Sequence, residues 1–381
     1  MVSIIVPARN EEACLGACLE SLVAQTGTDF EIIVVDDAST DRTAEIARSF
    51  EINEGSDARS STVHVGADAL VRPDIQVVSA PPLPEGWTGK NNAMAEGAKL
   101  AKGKWLLFTD ADTFHKPGSL ARAVAEAEQH GAALLSYSPE QEVRGFWEKA
   151  VMPVIFAELA ATYPPANVND PASPIAAANG QYLLISREAY DVVGGHTKIA
   201  ADLLEDVAMA RLVKSSGRKI FFRYGGDAVR TRMYRSFAQM REGWTKNLAL
   251  LFPRPQALSS FRATEFAFIT GNLIAAIVSW LVGRFDIALA TLLLGLLVAG
   301  SCLTRIRRAH FSASSNLLSL LGLPMFSYLL FRSAKLHREG RVTWKGRRYG
   351  ESSANADHLK QNGLSGSAPV RDQDLASNEC R

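Results

Sequence analysis

From residue 1 to about 225, short β-rich apolar runs alternate with stretches whose apolar residues recur at helical spacing, the pattern of an α/β unit on a mainly parallel sheet. VSIIVPA, FEIIVVDDAST, IQVVSA, KWLLFTDAD, AALLSYSP and GQYLLIS read as strands. EEACLGACLESLVAQ, TDRTAEIARSF, KNNAMAEGAKLA, residues 119–130 and REAYDVVGG read as helices, with Thr40 in place to cap the second. Residues 52–74, rich in Ser, Gly, Asp and Ala, read as a loop or a poorly ordered insertion.

The periodicity then changes. Residues 143–163 are apolar and interrupted by Pro153; the run falls short of the roughly 20 residues of a span and reads as a buried helix rather than an interfacial one. EFAFITGNLIAAIVSWLVG and IALATLLLGLLVAGSCL each approach that length, joined by RFD, and together exceed what a small soluble core encloses. NLLSLLGLPMFSYLLF is shorter and broken by Gly322 and Pro324. Basic segments flank it, RIRRAH before and RSAKLHREGRVTWKGRRYG after, and short basic loops stay cytoplasmic. Two spans plus a re-entrant or interfacial segment follow. The expected organisation is an α/β domain over 1–250, a membrane anchor over 251–335, and a basic then disordered tail over 336–381.

Composition sharpens this little. Lys plus Arg (41) nearly cancels Asp plus Glu (40), and a net charge of +1 gives no global argument for nucleic acid as a partner. The four cysteines form no CxxC pair or zinc spacing, which fits a reducing compartment. The start, MVSIIVPARNEE, predicts no cleaved leader. A transporter would carry ionisable groups inside its spans, and these have essentially none.

Four clusters fall where strands should end, and open α/β sheets bind ligands beyond the carboxyl ends of their strands. They are PARNEE, the Asp36–Asp37 pair, WTGKNN and the DAD of residues 110–112. Neither a GxGxxG nor a GxxxxGKS follows the first strand, which counts against a nicotinamide enzyme and a phosphate loop. Asp110 and Asp112, read as i and i+2 of an extended strand end, would project to one side. Hard divalent ions such as Mg2+ or Mn2+ take such oxygens and share them with a substrate's phosphates. Alone, that triplet is as readily an acidic turn.

The ordered set, together with GGHTKIAADLLEDVAMARLVKSSGRKIFF, resembles the family 2 glycosyltransferases of GT-A fold, a Rossmann-like mixed sheet that binds nucleotide-diphospho-sugars, over roughly residues 1–250. GWTGKNNAMAEGAKLAKGKWLLFTDAD, RMYRSFAQMREGWTKN and WKGRRYG are similar to the membrane-associated members that glycosylate lipids, with hopanoid-associated and carotenoid-pathway enzymes the nearest groups. The resemblance implies that Pro7, Asn10 and Glu12 shape the nucleotide pocket and that Asp37 contacts base or ribose. It implies Lys90 near the diphosphate or the base, Asp110 facing ribose and metal, and Asp112 ligating the metal. Asp206 matches the general base, with Glu205 beside it; without the resemblance, the pair is ordinary N-terminal helix charge.

The implied reaction is a single displacement with inversion, from a UDP- or GDP-sugar to a membrane lipid, by a domain on the cytoplasmic face of the cell membrane. A divalent cation stabilises the departing diphosphate and a carboxylate takes the acceptor's proton. Gln239, Arg241 and Trp244 are the further candidates for acceptor or diphosphate contacts. Processive relatives carry Q-x-x-R-W, whereas Gly243 precedes Trp244 here, which weakens the alternative of a polysaccharide or polyprenyl-phosphate glycosyltransferase.

Overall fold

The computed structural model describes residues 1–51 and 73–349. The expectations for residues 52–72 and for the tail beyond Tyr349 lie outside the described residues. In chain order the first strands are β1 (Val2–Ala8), β2 (Phe30–Asp36), β3 (Asp74–Ser79), β4 (Trp105–Phe108), β5 (Thr113–His115) and β6 (Leu134–Ser138). The rest are β7 (Glu140–Gln141), β8 (Leu183–Ser186), β9 (Ile220–Tyr224), β10 (Val229–Thr231), β11 (Val342–Trp344) and β12 (Arg347–Tyr349).

The seven-stranded main sheet runs β3-β2-β1-β4-β8-β6-β9. Its strands are continuous Val/Ile/Leu runs because both faces are covered: Ile5, Ile33 and Leu106 enter one core, and Ile4, Ile32 and Leu107 the other. β1 pairs in parallel with β2 and β4, so their carboxyl ends point the same way, Ala8 level with Asp36 and β4 stopping earlier at Phe108, which is level with Ile5. β8 is antiparallel to both β4 and β6. The chain leaves β6 at the carboxyl end of the sheet and re-enters from that end, which puts Asn179–Gln181 beside the ends of β1 and β4. This mixed sheet is the expected GT-A arrangement.

Several local expectations are corrected. The strand read as KWLLFTDAD stops at Phe108, and residues 109–112 form a turn into β5 rather than an extended end. β5, β10 and β7 make a small second sheet that periodicity did not reveal, because strands of two or three residues carry no period. Thr40 is not a helix cap; the helix begins at Thr43, whose N–H is held by Asp41 Oδ1 at 3.0 Å.

The helix Phe146–Thr162 keeps Pro153 inside and is buried, as expected. It packs with Trp244, Phe326 and Ile306 in a third core shared with the C-terminal helices. Among the described residues, three helices are long and apolar enough to cross a membrane: Pro255–Leu281, Phe285–Ala309 and Ala313–Arg338. The first two present Ile274, Ile277, Trp280, Leu289 and Leu297 outward. The third is broken by a 3-10 turn at Ser319–Gly322, where the sequence puts its glycine, and is half buried. The expectation of spans without ionisable groups holds for their central stretches and needs correction at their ends. There Glu158 accepts from Arg262 Nε at 2.9 Å, while Glu265 accepts from Arg262 at 2.9 Å and from Arg305 at 2.9 and 3.0 Å.

Candidate active site

The turn at 109–112 is fixed by hydroxyls. Thr109 Oγ1 donates to Gln181 O at 2.8 Å, Thr113 Oγ1 to Asp110 O at 2.7 Å, and Thr231 Oγ1 to Asp112 O at 3.1 Å. Buried His115 supports both threonines, and burial pushes its pKa down to about 3, so it stays neutral. Ala111 is buried beneath the turn. The backbone carbonyls are thus used up and the two carboxylates line a cavity of about 920 Å3 at the carboxyl end of the sheet.

Asp112 Oδ1 is buried there without a hydrogen-bond partner. Burial, then the charges of Asp110 and Glu11, push its pKa up to about 8. A buried, unpartnered carboxylate oxygen beside two other carboxylates is costly unless a cation joins it. Among the described residues no cluster of three or more His, Cys, Asp or Glu side chains is arranged to hold a metal alone. Two carboxylates are nevertheless what a hexacoordinate hard ion needs from a protein when phosphate oxygens and water supply the rest, so Asp110 and Asp112 fit one.

Lys90 reaches the same place by a separate route. Thr88 Oγ1 accepts from Asn91 N–H at 3.1 Å, capping the helix Gly89–Leu100. Asn91 Nδ2 donates to the carbonyls of Ile199, Ala200 and Asp202, which ties this helix to the segment leading into the helix Glu205–Ser215. Lys90 Nζ consequently lies 2.6 Å from Asp110 Oδ1 and 2.6 Å from Glu205 Oε1. Burial opposes its charge, but these two carboxylates raise its pKa. Burial also opposes ionisation of Glu205, yet Lys90 and Lys246 hold its pKa down.

Asp206, next in the chain, forms no ion pair among the described residues, although the Lys90 charge partly offsets its shift. Burial, then the neighbouring Glu205 charge, push it up to about 6. Its Oδ2 accepts from Gly180 N–H at 2.8 Å, which fixes the carboxylate at the cavity wall. The helix start accounts for both acids by its dipole, but not for their opposite shifts.

Of the expected residues, Pro7, Asn10, Asp37, Lys90, Asp110, Asp112, Glu205, Asp206, Gln239 and Trp244 all line this cavity. Asn10 also has a structural task, its Oδ1 accepting from Thr40 N–H at 2.8 Å. Trp244 is wall: its indole N–H points to Met152 Sδ. Two expectations are corrected. Glu12 is exposed and off the cavity, its carboxylate accepting from Arg42 N–H at 3.1 Å; the preceding Glu11 is the one that lines it. Arg241 is exposed on the far side of the helix Phe237–Leu251, because Gln239, Glu242, Gly243, Lys246 and Asn247 recur at helical spacing on the cavity face. At Gly243 a Cβ would run into the Tyr234 ring, so this helix cannot carry an arginine there.

Sequence reasoning missed cations that the fold brings in. Arg347 binds Asp37 through both guanidinium nitrogens, at 2.5 and 3.0 Å, and Lys345 donates to Glu11 Oε1 at 2.6 Å. Lys246 lies in the cavity wall, 5.2 Å from the Trp344 ring centroid, and burial lowers its pKa. Lys345 and Arg347 lie in the quoted WKGRRYG, which read as a basic membrane flank and as part of the resemblance, and Lys246 lies in the quoted RMYRSFAQMREGWTKN. The cavity also has an apolar limb, formed by Phe156, Leu159, Leu251 and Phe311, which all pack against the third core.

A relative from Staphylococcus aureus (strain MRSA252), a 4,4'-diaponeurosporenoate glycosyltransferase, is 28% identical over 373 residues, covering 91% of this chain and 88% of its own. A mannosyltransferase from Pyrobaculum calidifontis, solved with GDP-Man and Mn2+, is 17% identical with a TM-score of 0.47, covering 88% of this chain and 86% of that one. The pattern of Glycosyl transferase family 2, the family expected, matches residues 3–65. That of Glycosyl transferase family 21 matches residues 70–354, well over half of the chain, and the protein belongs to this glycosyltransferase family.

Proposed function

We propose that this chain is an inverting glycosyltransferase that moves one sugar from a UDP- or GDP-sugar to a lipid acceptor of the membrane that anchors it. The observation that carries this is the continuity of one cavity: its acidic end holds Asp110, Asp112 and Asp206, and its apolar limb abuts the C-terminal helices. A lipid hydroxyl arriving along that limb meets the acids directly. The S. aureus relative is named for a carotenoid-type acceptor, which favours a lipid here too.

Asp110 and Asp112 would hold Mg2+ or Mn2+, which when bound supplies Lewis-acid stabilisation to the departing diphosphate. Lys90, paired to Asp110, keeps the region from accumulating negative charge before the donor's phosphates arrive. Asp206, with a pKa of about 6, is ionised at neutral pH yet basic enough to take the acceptor's proton. Glu205, locked to Lys90, positions that lysine and is not the base. With Asp206 taking the acceptor's proton rather than attacking the sugar, the acceptor oxygen displaces the diphosphate in one step and the anomeric centre inverts.

Two spans and a returning third segment fit the same reading. His310, just before the third segment, and Lys345, just after it, line one cavity. A segment with both ends on the catalytic side dips in and returns, with the domain on the cytoplasmic face by its basic flanks. The domain reading is then 1–250 catalytic and 251–335 anchor, with the following basic stretch drawn back onto the catalytic domain.

The test is lipid mass spectrometry of cells with the wild-type protein, with Asp206→Asn and with neither. A lipid that gains one sugar mass in the wild-type cells alone supports the reading. Sugar appearing only on a polyprenyl phosphate or a polysaccharide would replace it with the alternative.

A further inference from the structure

The hairpin β11–β12 lies more than 300 residues from β1 and β2 in sequence, yet it closes over their carboxyl ends. Its turn residues are both left-handed, Lys345 at φ 45 and Gly346 at φ 77, as a two-residue hairpin turn requires. A lysine in that conformation is unusual and points to a task for its side chain. The Lys345 ammonium reaches Glu11 Oε1 at 2.6 Å and Arg9 O at 2.8 Å.

Arg347 occupies a place made for it. Gly89 opens the helix Gly89–Leu100, and a Cβ there would overlap the Arg347 guanidinium. The guanidinium therefore rests against the first turn of a helix, whose free N–H groups favour an anion. Lys246 adds a third cation beside Trp344 of the same hairpin, and among the described residues no carboxylate forms an ion pair with it. Three cations and a helix start thus converge on one end of the cavity. A nucleotide whose base or ribose is to reach Asp37 finds both carboxylate oxygens taken by Arg347.

We propose that Lys345 and Arg347 are donor-binding residues, and that the hairpin is a closing element whose guanidinium passes from Asp37 to the diphosphate of the incoming nucleotide sugar. The exchange keeps charge in balance: Asp37 gains neutral hydroxyl or N–H donors, and the guanidinium gains a bidentate phosphate partner. This rests on the nucleotide-sugar reading above. It adds that the segment following the membrane anchor completes the donor site.

The test is calorimetric titration of the full-length protein in detergent, with Mn2+, against UDP, GDP, UMP and GMP. Variants are Arg347→Ala, Arg347→Lys and, as a control on the exposed side of the hairpin, Arg348→Ala. Arg347→Ala should weaken the preferred nucleoside diphosphate at least tenfold and leave its monophosphate within threefold. Arg347→Lys keeps the charge but not the two-pronged contact and should recover only part of the loss, and Arg348→Ala should bind like wild type. Unchanged diphosphate binding in Arg347→Ala, or equal weakening of mono- and diphosphate as a merely structural hairpin would give, overturns the inference. Wild-type protein that binds none of the four nucleotides would overturn the donor reading itself, and this is visible before any variant is made.

Discussion

Lys90 and Glu205 meet at 2.6 Å, and that contact gives two neighbouring carboxylates different characters. Glu205 is held ionised by the ammonium, while Asp206 is pushed up to about 6 by burial and by Glu205 itself. If Asp206 is the base, kcat rises about tenfold per pH unit to roughly pH 6 and then levels, because only its ionised form accepts the proton. Glu205→Gln removes a charge that raises Asp206, so the limb should move to lower pH. Asp206→Asn should lose about 10²–10⁴-fold in kcat with nucleoside diphosphate binding unchanged. A residual activity that keeps the original limb would place the base elsewhere.

Asp112 predicts a conflict between stability and activity. Its Oδ1 is buried without a partner, and Asp110 and Glu11 repel its charge. Asp112→Asn removes the cost of burying or protonating this carboxyl at almost constant shape, and the donor-free protein should gain on the order of 1 kcal/mol at neutral pH. Transfer should meanwhile fall by roughly 10²-fold or more, since one of two metal oxygens is lost. Thermal unfolding in detergent, alongside donor turnover with Mg2+ or Mn2+, checks both halves. A destabilised but active variant would remove Asp112 from the metal reading.

How much of this was legible in the sequence depends on whether the signal is local. Asp37, Asp110 and Asp112 stood out because buried apolar strands end abruptly on them, and strand ends are where open sheets bind ligands. Asp206 needed the resemblance, since an acid in a first helical turn has a local explanation. The choice between Glu11 and Glu12 was not legible, because it turns on how one irregular loop curls around Asp41 and Thr43. Arg241 failed for a different reason: the helix is amphipathic about the cavity rather than about a membrane, and the sequence does not say which. Arg347 could not have been matched to Asp37 from spacing, as an ion pair spanning 310 positions leaves no periodic trace.

Gly89 gives a test of the hairpin that does not involve nucleotide. Alanine at the start of a helix would ordinarily be neutral or stabilising by up to about 1 kcal/mol. Here the methyl group overlaps Arg347 and Asp37, so Gly89→Ala should lower stability and open the hairpin to protease. In an Arg347→Ala background the closest overlap is gone and Asp37 is released from the guanidinium that holds it, so the same change should cost much less. A double-mutant cycle on thermal stability should therefore give a coupling of about 1 kcal/mol or more. Additive effects would mean that the guanidinium does not rest on Gly89.

Glu158, Arg262, Glu265 and Arg305 join the buried helix Phe146–Thr162 to the first two apolar helices. Two acids and two arginines cancel in charge, and Glu158 and Arg262 are both buried. Glu158→Gln leaves Arg262 and Arg305 sharing Glu265 alone and the network with one excess positive charge, and should cost roughly 1.5–3 kcal/mol. Replacing the pair together, as Glu158→Met with Arg262→Leu, removes both charges and should restore most of that loss. Because the network joins the apolar helices to the wall of the acceptor limb, the single variant should also raise the KM for the lipid more than that for the donor. Thermal unfolding and steady-state kinetics in detergent measure the two effects. Equal losses in the single and double variants would show that packing around Glu158, and not its charge, holds the helices in place.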